Sequence, residues 1–255
     1  MILIKLGGSA FSNKAKPLSF HEEPVRNLAL LIKQHGITPV LIHGGGSFAH
    51  PVAKAYGLDK GIRDDAQLIG VSLTSLTLSL LNERITSIFS KLGLPTYTIR
   101  TGAVFMRTLS GLKLSGDVVD LVRRLVGMRI IPVFYGDVIH DYELGFSILS
   151  GDEIMVELAK RLKPRYALFL MDVEGVYSEG PRRGELIRVF KPSTSISYSS
   201  SGVDATGGLM GKLKHAIELA EMSVQTYLCS VMDQESISLI LTGGEPRGCT
   251  RIEAT

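Results

Sequence analysis

Residues 38–56 read TPVLIHGGGSFAHPVAKAY. An apolar run closes at His43, three glycines follow, and a helical pattern takes over from 47 to 56. A run too short for a buried helix and bounded by a turn reads as a strand covered on both faces. Joined to the amphipathic segment behind it, the stretch is one strand-to-helix unit. The same rhythm extends in both directions. ILIKL (2–6), LPTYTI (94–99), RIIPVFY (129–135), YALFLMD (166–172) and VQTYLCSV (224–231) are further strands, and helical patterns lie near 21–35, 65–92, 116–126, 151–162, 208–222 and 234–241. Strand alternating with helix implies an α/β fold: a mostly parallel central sheet with helices on both sides, a three-layer αβα sandwich. FMRTLSGLKLSGD (105–117) and VIHDYELGFSIL (138–149) alternate about polar turns and read as β-hairpins projecting beyond that sheet. Residues 178–202, rich in Ser, Pro, Arg and Gly, read as a loop inside the domain, because strand-helix units resume after them. Residues 1–255 are expected to form a single domain.

Composition narrows the function. Hydrophobic residues make up 45% of the chain, enough for a substantial core. The net charge of +3 is spread over 28 basic and 25 acidic residues, so there is no basic patch and no nucleic-acid partner is expected. No segment approaches the roughly 18 apolar residues of a membrane span, and the apolar part of MILIKLGGSAF is too short for a signal sequence. Cytoplasmic localisation follows as the expectation. Cys229 and Cys249 form neither a C-x-x-C motif nor a metal cluster, and are too sparse for a disulfide scaffold.

Two strands end in glycine loops, Lys5–Ser9 (KLGGS) and His43–Ser47 (HGGGS). In a parallel sheet such ends gather on one edge, where glycines let backbone N–H groups reach an anion. Each loop alone could be a tight turn; two on one edge, with a lysine, favour phosphate. Neither is G-x-x-x-x-G-K-[ST] or G-x-G-x-x-G. TGGLMGK (206–212) opens a helix with Lys212 near its start, where a cation opposes the helix dipole unless an anion intervenes. SGDE (150–153) opens another, with Ser150 and Glu153 spaced as a capping box. Asp152 there is either a first-turn acid or the carboxylate that holds lysines apart. Asp172, closing the strand at 166–172, is either a turn former before Gly175 or a nucleotide contact.

Taken in order, Lys5-x-Gly-Gly, HGGG, SGD, DVEGVY (172–177) and TGGxxGK resemble the amino-acid kinase family, over nearly the whole chain. Within it, SNK (12–14), GGGSFAHPVAKAY (44–56) and YGDV (135–138) are similar to the branch acting on isopentenyl phosphate; Ala49 departs from the Gly usual there. The resemblance implies the amino-acid kinase fold, transfer of the γ-phosphate of ATP with Mg²⁺, isopentenyl phosphate as the small-molecule acceptor, and a homodimer. It implies that Lys5, Lys14 and Lys212 line the ATP phosphates, with Asp152 organising Lys5 and Lys212. Gly7, Gly8, Ser9 and Gly208 complete the ATP contacts. The N–H groups of Gly8, Gly45 and Gly46 face the transferring group, while Gly151 and His50 hold the acceptor phosphate. Asp172, Gly175 and Val176 line the adenosine side. No protein metal ligand is implied.

The chemistry agrees with that reading. A loose phosphoryl-transfer transition state needs positioning and positive charge rather than covalent help. A phosphate acceptor is already anionic near neutrality and needs no general base. His50 then acts as a donor to an anion, against the plainer reading of a core histidine; His43 is assigned to structure. The segment 66–92 is apolar or hydroxyl-bearing on nearly every face up to Asn82, so it is buried as core or interface, or walls an apolar tail. Val71 and Thr74 are the candidate tail contacts. A fosfomycin-type kinase of the same family and a non-catalytic anion sensor on this fold are the alternatives.

Overall fold

The computed structural model describes residues 1–13, 16–196 and 205–255. β1 (Ile2–Leu6) passes through the single turn α1 (Gly8–Phe11) to α2 (Glu22–His35), and β2 (Val40–His43) runs directly into α3 (Gly46–Ala55). A capping box between Asp64 and Gln67 starts α4 (Asp65–Lys91), which feeds β3 (Thr96–Thr98) and α5 (Thr101–Val104). There follow β4 (Phe105–Thr108), β5 (Gly111–Leu114), α6 (Gly116–Gly127), β6 (Ile131–Tyr135), β7 (Asp137–Asp141), β8 (Gly145–Leu149) and α7 (Gly151–Leu162). The chain continues with β9 (Tyr166–Met171), β10 (Val189–Phe190), α8 (Ala205–Glu221), β11 (Gln225–Ser230), α9 (Gln234–Thr242) and β12 (Cys249–Ile252). The strands and helices read from the sequence are all present, their ends displaced by up to about three residues, as fraying ends and caps allow.

Among the described residues the main sheet has the order β10-β12-β11-β9-β1-β2-β6-β3. β1 lies between β2 and β9, parallel to both, so the C-terminal ends of all three strands share one edge. Alternation along β1 explains the layers. Leu3 packs in a core with α6, α7 and α8, whereas Ile4 and Leu6 pack in a second core with α2, α4 and α9. Lys5 falls on the face of Leu3, toward α7 and α8. This is the αβα sandwich.

Three features depart from the sequence reading or add to it. The two hairpins are present but do not project separately: β4 pairs with β7, giving a second sheet of order β5-β4-β7-β8. Two unforeseen strands, β10 and β12, extend the main sheet, and β12 runs antiparallel to β11. Cys229 and Cys249, directly opposite in that pair, are joined by a disulfide, where the sequence reading had found too few cysteines for a disulfide scaffold. No described helix is long and apolar enough to cross a membrane.

Candidate active site

The shared strand edge opens into a cleft of about 670 Å³ lined by both glycine loops, the start of α7 and the start of α8. At its floor Lys5 Nζ donates to Asp152 Oδ1, and Lys212 Nζ reaches the same oxygen at 3.5 Å. Phe169, the β9 residue paired with Lys5, lies under both ammonium groups, 5.9 Å and 5.7 Å from ring centroid to Nζ. An aromatic face tolerates a cation that is otherwise losing water.

Burial governs the protonation of this cluster. It pushes the Lys5 ammonium down to about 8, against the pull of Asp152. Burial alone would raise Asp152, but the charges of Lys5 and Lys212 outweigh it and hold the carboxyl at about 2. Near neutral pH the floor therefore carries one carboxylate against Lys5 and Lys212, an excess of positive charge facing the cleft.

Local structure places each part. The Ser150 hydroxyl accepts from Glu153 N while Glu153 Oε2 accepts from Ser150 N, so the capping box expected from SGDE is formed. It presents Gly151 and Asp152 to the cleft. A Cβ on Gly151 would stand 2.9 Å from Lys5 Cε, so glycine is what lets the lysine pass. A Cβ on Gly45 would meet that of Ala49 at 2.5 Å, which ties the one departure from the family pattern to the bareness of the loop.

Of the residues singled out in the sequence, Lys5, Gly7, Gly8, Ser9, Gly45, His50, Thr74, Gly151, Asp152, Asp172, Gly175, Gly208 and Lys212 all line the cleft. His50 is exposed on α3, which removes the core reading. Lys14 lies outside the described residues. Gly46, Val71 and Val176 do not reach the cleft. Gly46 is buried at φ 49°, and a Cβ there would strike Ser12 Oγ. Val71 packs one layer back, against a small cluster of Ala53, Leu58 and Val138. Val176 is fully buried and its N–H donates to Thr250 Oγ1. Thr250 also forces glycine at 175, where a Cβ would lie 2.3 Å from its hydroxyl. Nothing near Thr250 in the sequence signals that role.

Ser12, Asn13, Leu78, Asp137 and Ile148 also line the cleft and were not singled out. Asp137, inside the YGDV stretch, accepts from Gly102 N and Val138 N, and burial raises its carboxyl. Each of its oxygens thereby accepts one backbone N–H. His43 is fully buried, stacked on Tyr135, with ring nitrogens 3.1 Å from the Gly44 carbonyl and 3.3 Å from Asn82 Oδ1. Burial drops it to about 4, so it is neutral and structural.

Residues 1–230 match the model of the amino acid kinase family. The chain belongs to that family. Its relatives include the isopentenyl phosphate kinase of Methanothermobacter thermautotrophicus, 31% identical over 99% of this chain and 98% of that one. That of Thermoplasma acidophilum is 28% identical over 86% of each. A solved isopentenyl phosphate kinase superposes on this amino acid kinase with a TM-score of 0.83 at 27% identity, over 99% of both chains. The sandwich, the parallel sheet edge and the glycine loops are thus the amino acid kinase fold.

Proposed function

We infer that the chain is an isopentenyl phosphate kinase, transferring the γ-phosphate of ATP to isopentenyl phosphate to give isopentenyl diphosphate and ADP. The observation that carries it is the floor of the cleft, where Lys5 and Lys212 converge on one Asp152 oxygen beneath two glycine loops. Two lysines held at fixed separation can neutralise charge spreading over the transferring group, and the loop N–H groups can meet its equatorial oxygens. Asp152, held at about 2 and bound to both lysines, is no general base. Asp137 is held in place by one backbone N–H on each oxygen. An acceptor that arrives already anionic needs no base and suits this site.

His50 and Gly151 would hold the acceptor phosphate. Lys5, Lys212 and, beyond the described residues, Lys14 would run along the ATP phosphates, with Asp172 and Gly175 toward the nucleoside. Ala49, Ala53, Leu78 and Ile148 give the acceptor side an apolar wall, which favours a prenyl tail over a polar phosphonate. Residues 1–255 would act as one domain, acceptor bound mainly by the N-terminal half and ATP by the C-terminal half. Mg²⁺ would enter with the nucleotide, as the counter-ion of its phosphates.

A homodimer is part of this reading. Its support is the outward stripe of α4, where Leu68, Ile69, Leu73, Leu76 and Leu80 are 37–58% exposed; sedimentation at micromolar concentration tests it. Cytoplasmic placement is part of it too; a reducing pool would favour Cys229 and Cys249 as thiols, and thiol trapping in cells tests that. The function itself is tested by an ADP-release screen of isopentenyl phosphate, dimethylallyl phosphate, fosfomycin, UMP and acetylglutamate. Preference for any acceptor but the first two overturns it.

A further inference from the structure

We propose that Arg107, on the second sheet, is a positioning residue for phosphoryl transfer, acting through Glu153 on the start of α7. This rests on the kinase reading above. Arg107 Nη2 donates to Glu153 Oε1 at 3.0 Å, while the other oxygen of the same carboxylate, Oε2, accepts from Ser150 N at 2.9 Å. The Glu153 carboxylate is therefore held at both ends, by the cap it completes and by an arginine 46 residues away. Arg107 is fixed in turn: its Nε lies 3.3 Å from Ser147 Oγ and 3.5 Å from Asp141 Oδ2, on the β8 and β7 strands. Asp141 is anchored by accepting from Glu143 N and Leu144 N.

Between the two cap residues stand only Gly151 and Asp152. Those are the residues that meet Lys5 and bridge it to Lys212. A capping box alone fixes the first turn of a helix relative to itself. The β8 strand runs straight into the cap, and the arginine adds a second tie that the box lacks, a charged hydrogen bond from β4 of the same sheet, whose β7 and β8 strands supply Asp137 and Ile148 to the cleft wall. The same side chain thus registers the acceptor wall against the phosphate floor. A shift of about 1 Å in catalytic geometry can cost on the order of a hundredfold in rate.

The test is a double-mutant cycle with two readouts. Arg107→Ala should lower kcat roughly tenfold at saturating substrates, the size expected for one charged hydrogen bond, while KM for ATP stays within about twofold. Arg107→Lys should recover part of the loss. On a Glu153→Ala background, Arg107→Ala should cost little more, because its route is already cut. Hydrogen exchange at the peptide spanning Ser150–Val156 should quicken in Arg107→Ala and not in Arg26→Ala, a control exposed on α2, which packs in the other core. Exchange needs no acceptor, so it reads the latch even if another acceptor proves to be the substrate; kcat is then taken with that acceptor. Wild-type kcat and exchange in Arg107→Ala overturn the proposal. So does a loss that adds in full to that of Glu153→Ala, or one matching only the unfolded fraction. If Arg107→Ala does not fold, Arg107→Lys and Glu153→Gln run the same cycle: coupled losses with quickened exchange support the latch, and additive losses or native exchange overturn it.

Discussion

Gly8 and Gly46 approach so closely that a Cβ on Gly8 would stand 2.6 Å from the Cα of Gly46 and 2.7 Å from its nitrogen. The obstacle is backbone on both sides, so neither loop can yield without moving the other. Gly8→Ala should therefore separate the two loops, at about 1–3 kcal/mol in stability and more than tenfold in kcat. Thermal unfolding with steady-state rates checks this, and a variant with native kcat would show the contact to be idle.

The pH dependence of activity and of stability should part company above pH 8. Lys5 sits at about 8 in the fold, below its ordinary 10.5, because burial disfavours its charge. Activity that needs the ammonium should fall as pH rises through about 8. Stability should move the other way between about 8 and 10.5, since the unfolded chain there binds the extra proton. At the acid end, Asp152 at about 2, against an ordinary 3.8, contributes stability that is lost as pH falls between those values. Rate profiles and denaturant titrations across both ranges test the pair; parallel curves above pH 8 would refute the Lys5 assignment.

His50 is exposed on α3, so its removal should leave the chain folded. As a donor to the acceptor phosphate it contributes about 1.5–3 kcal/mol, so His50→Ala should lower kcat/KM for isopentenyl phosphate roughly ten- to a hundredfold. KM for ATP should hold, and His50→Gln should recover part of the loss. Equal damage to both substrates would remove His50 from the acceptor side.

Thr74 lines the cleft yet is 2% exposed, and its hydroxyl has no hydrogen-bond partner. Thr74→Val keeps the shape and removes the orphaned oxygen, so it should stabilise by about 1 kcal/mol while leaving activity with an apolar-tailed acceptor intact. Leu78→Ala, in the same wall and 1% exposed, should instead admit longer prenyl phosphates and cost about 2–5 kcal/mol. Chain-length assays and unfolding curves decide both. Unchanged chain preference in Leu78→Ala would put the tail elsewhere.

The Cys229–Cys249 bond closes a segment with a sequence separation of 20 and holds β12, whose Thr250 braces Val176. Reduction should cost up to about 3 kcal/mol in stability. It should raise KM for ATP more than KM for the acceptor, because the braced loop lies on the nucleotide side. Titration of the native protein with a thiol reagent should find no free thiol before reduction.

Local sequence was enough to define the elements and the edge they share. Short apolar runs such as VLIH and amphipathic spans such as 151–162 carry their period in neighbouring residues, so strand, helix and cap could be read locally. Parallel order then put the glycines of 7–8 and 44–46 on one side of the sheet. Which distant groups meet was settled by the folded chain alone. Lys5 and Asp152 are 147 residues apart, and their pairing follows from β1 facing α7 across a core. The hairpins at 105–117 and 138–149 each alternate convincingly, but nothing in either announces that β4 lies beside β7, because strand partners are chosen by packing. For the same reason Arg107 looked like one more strand residue and Thr250 like none of consequence. Val176 was expected to line the adenosine side, and only the fold shows that its N–H donates to the Thr250 hydroxyl. Hydrogen bonds between residues distant in sequence are set by where the chain returns, and periodicity holds no record of that.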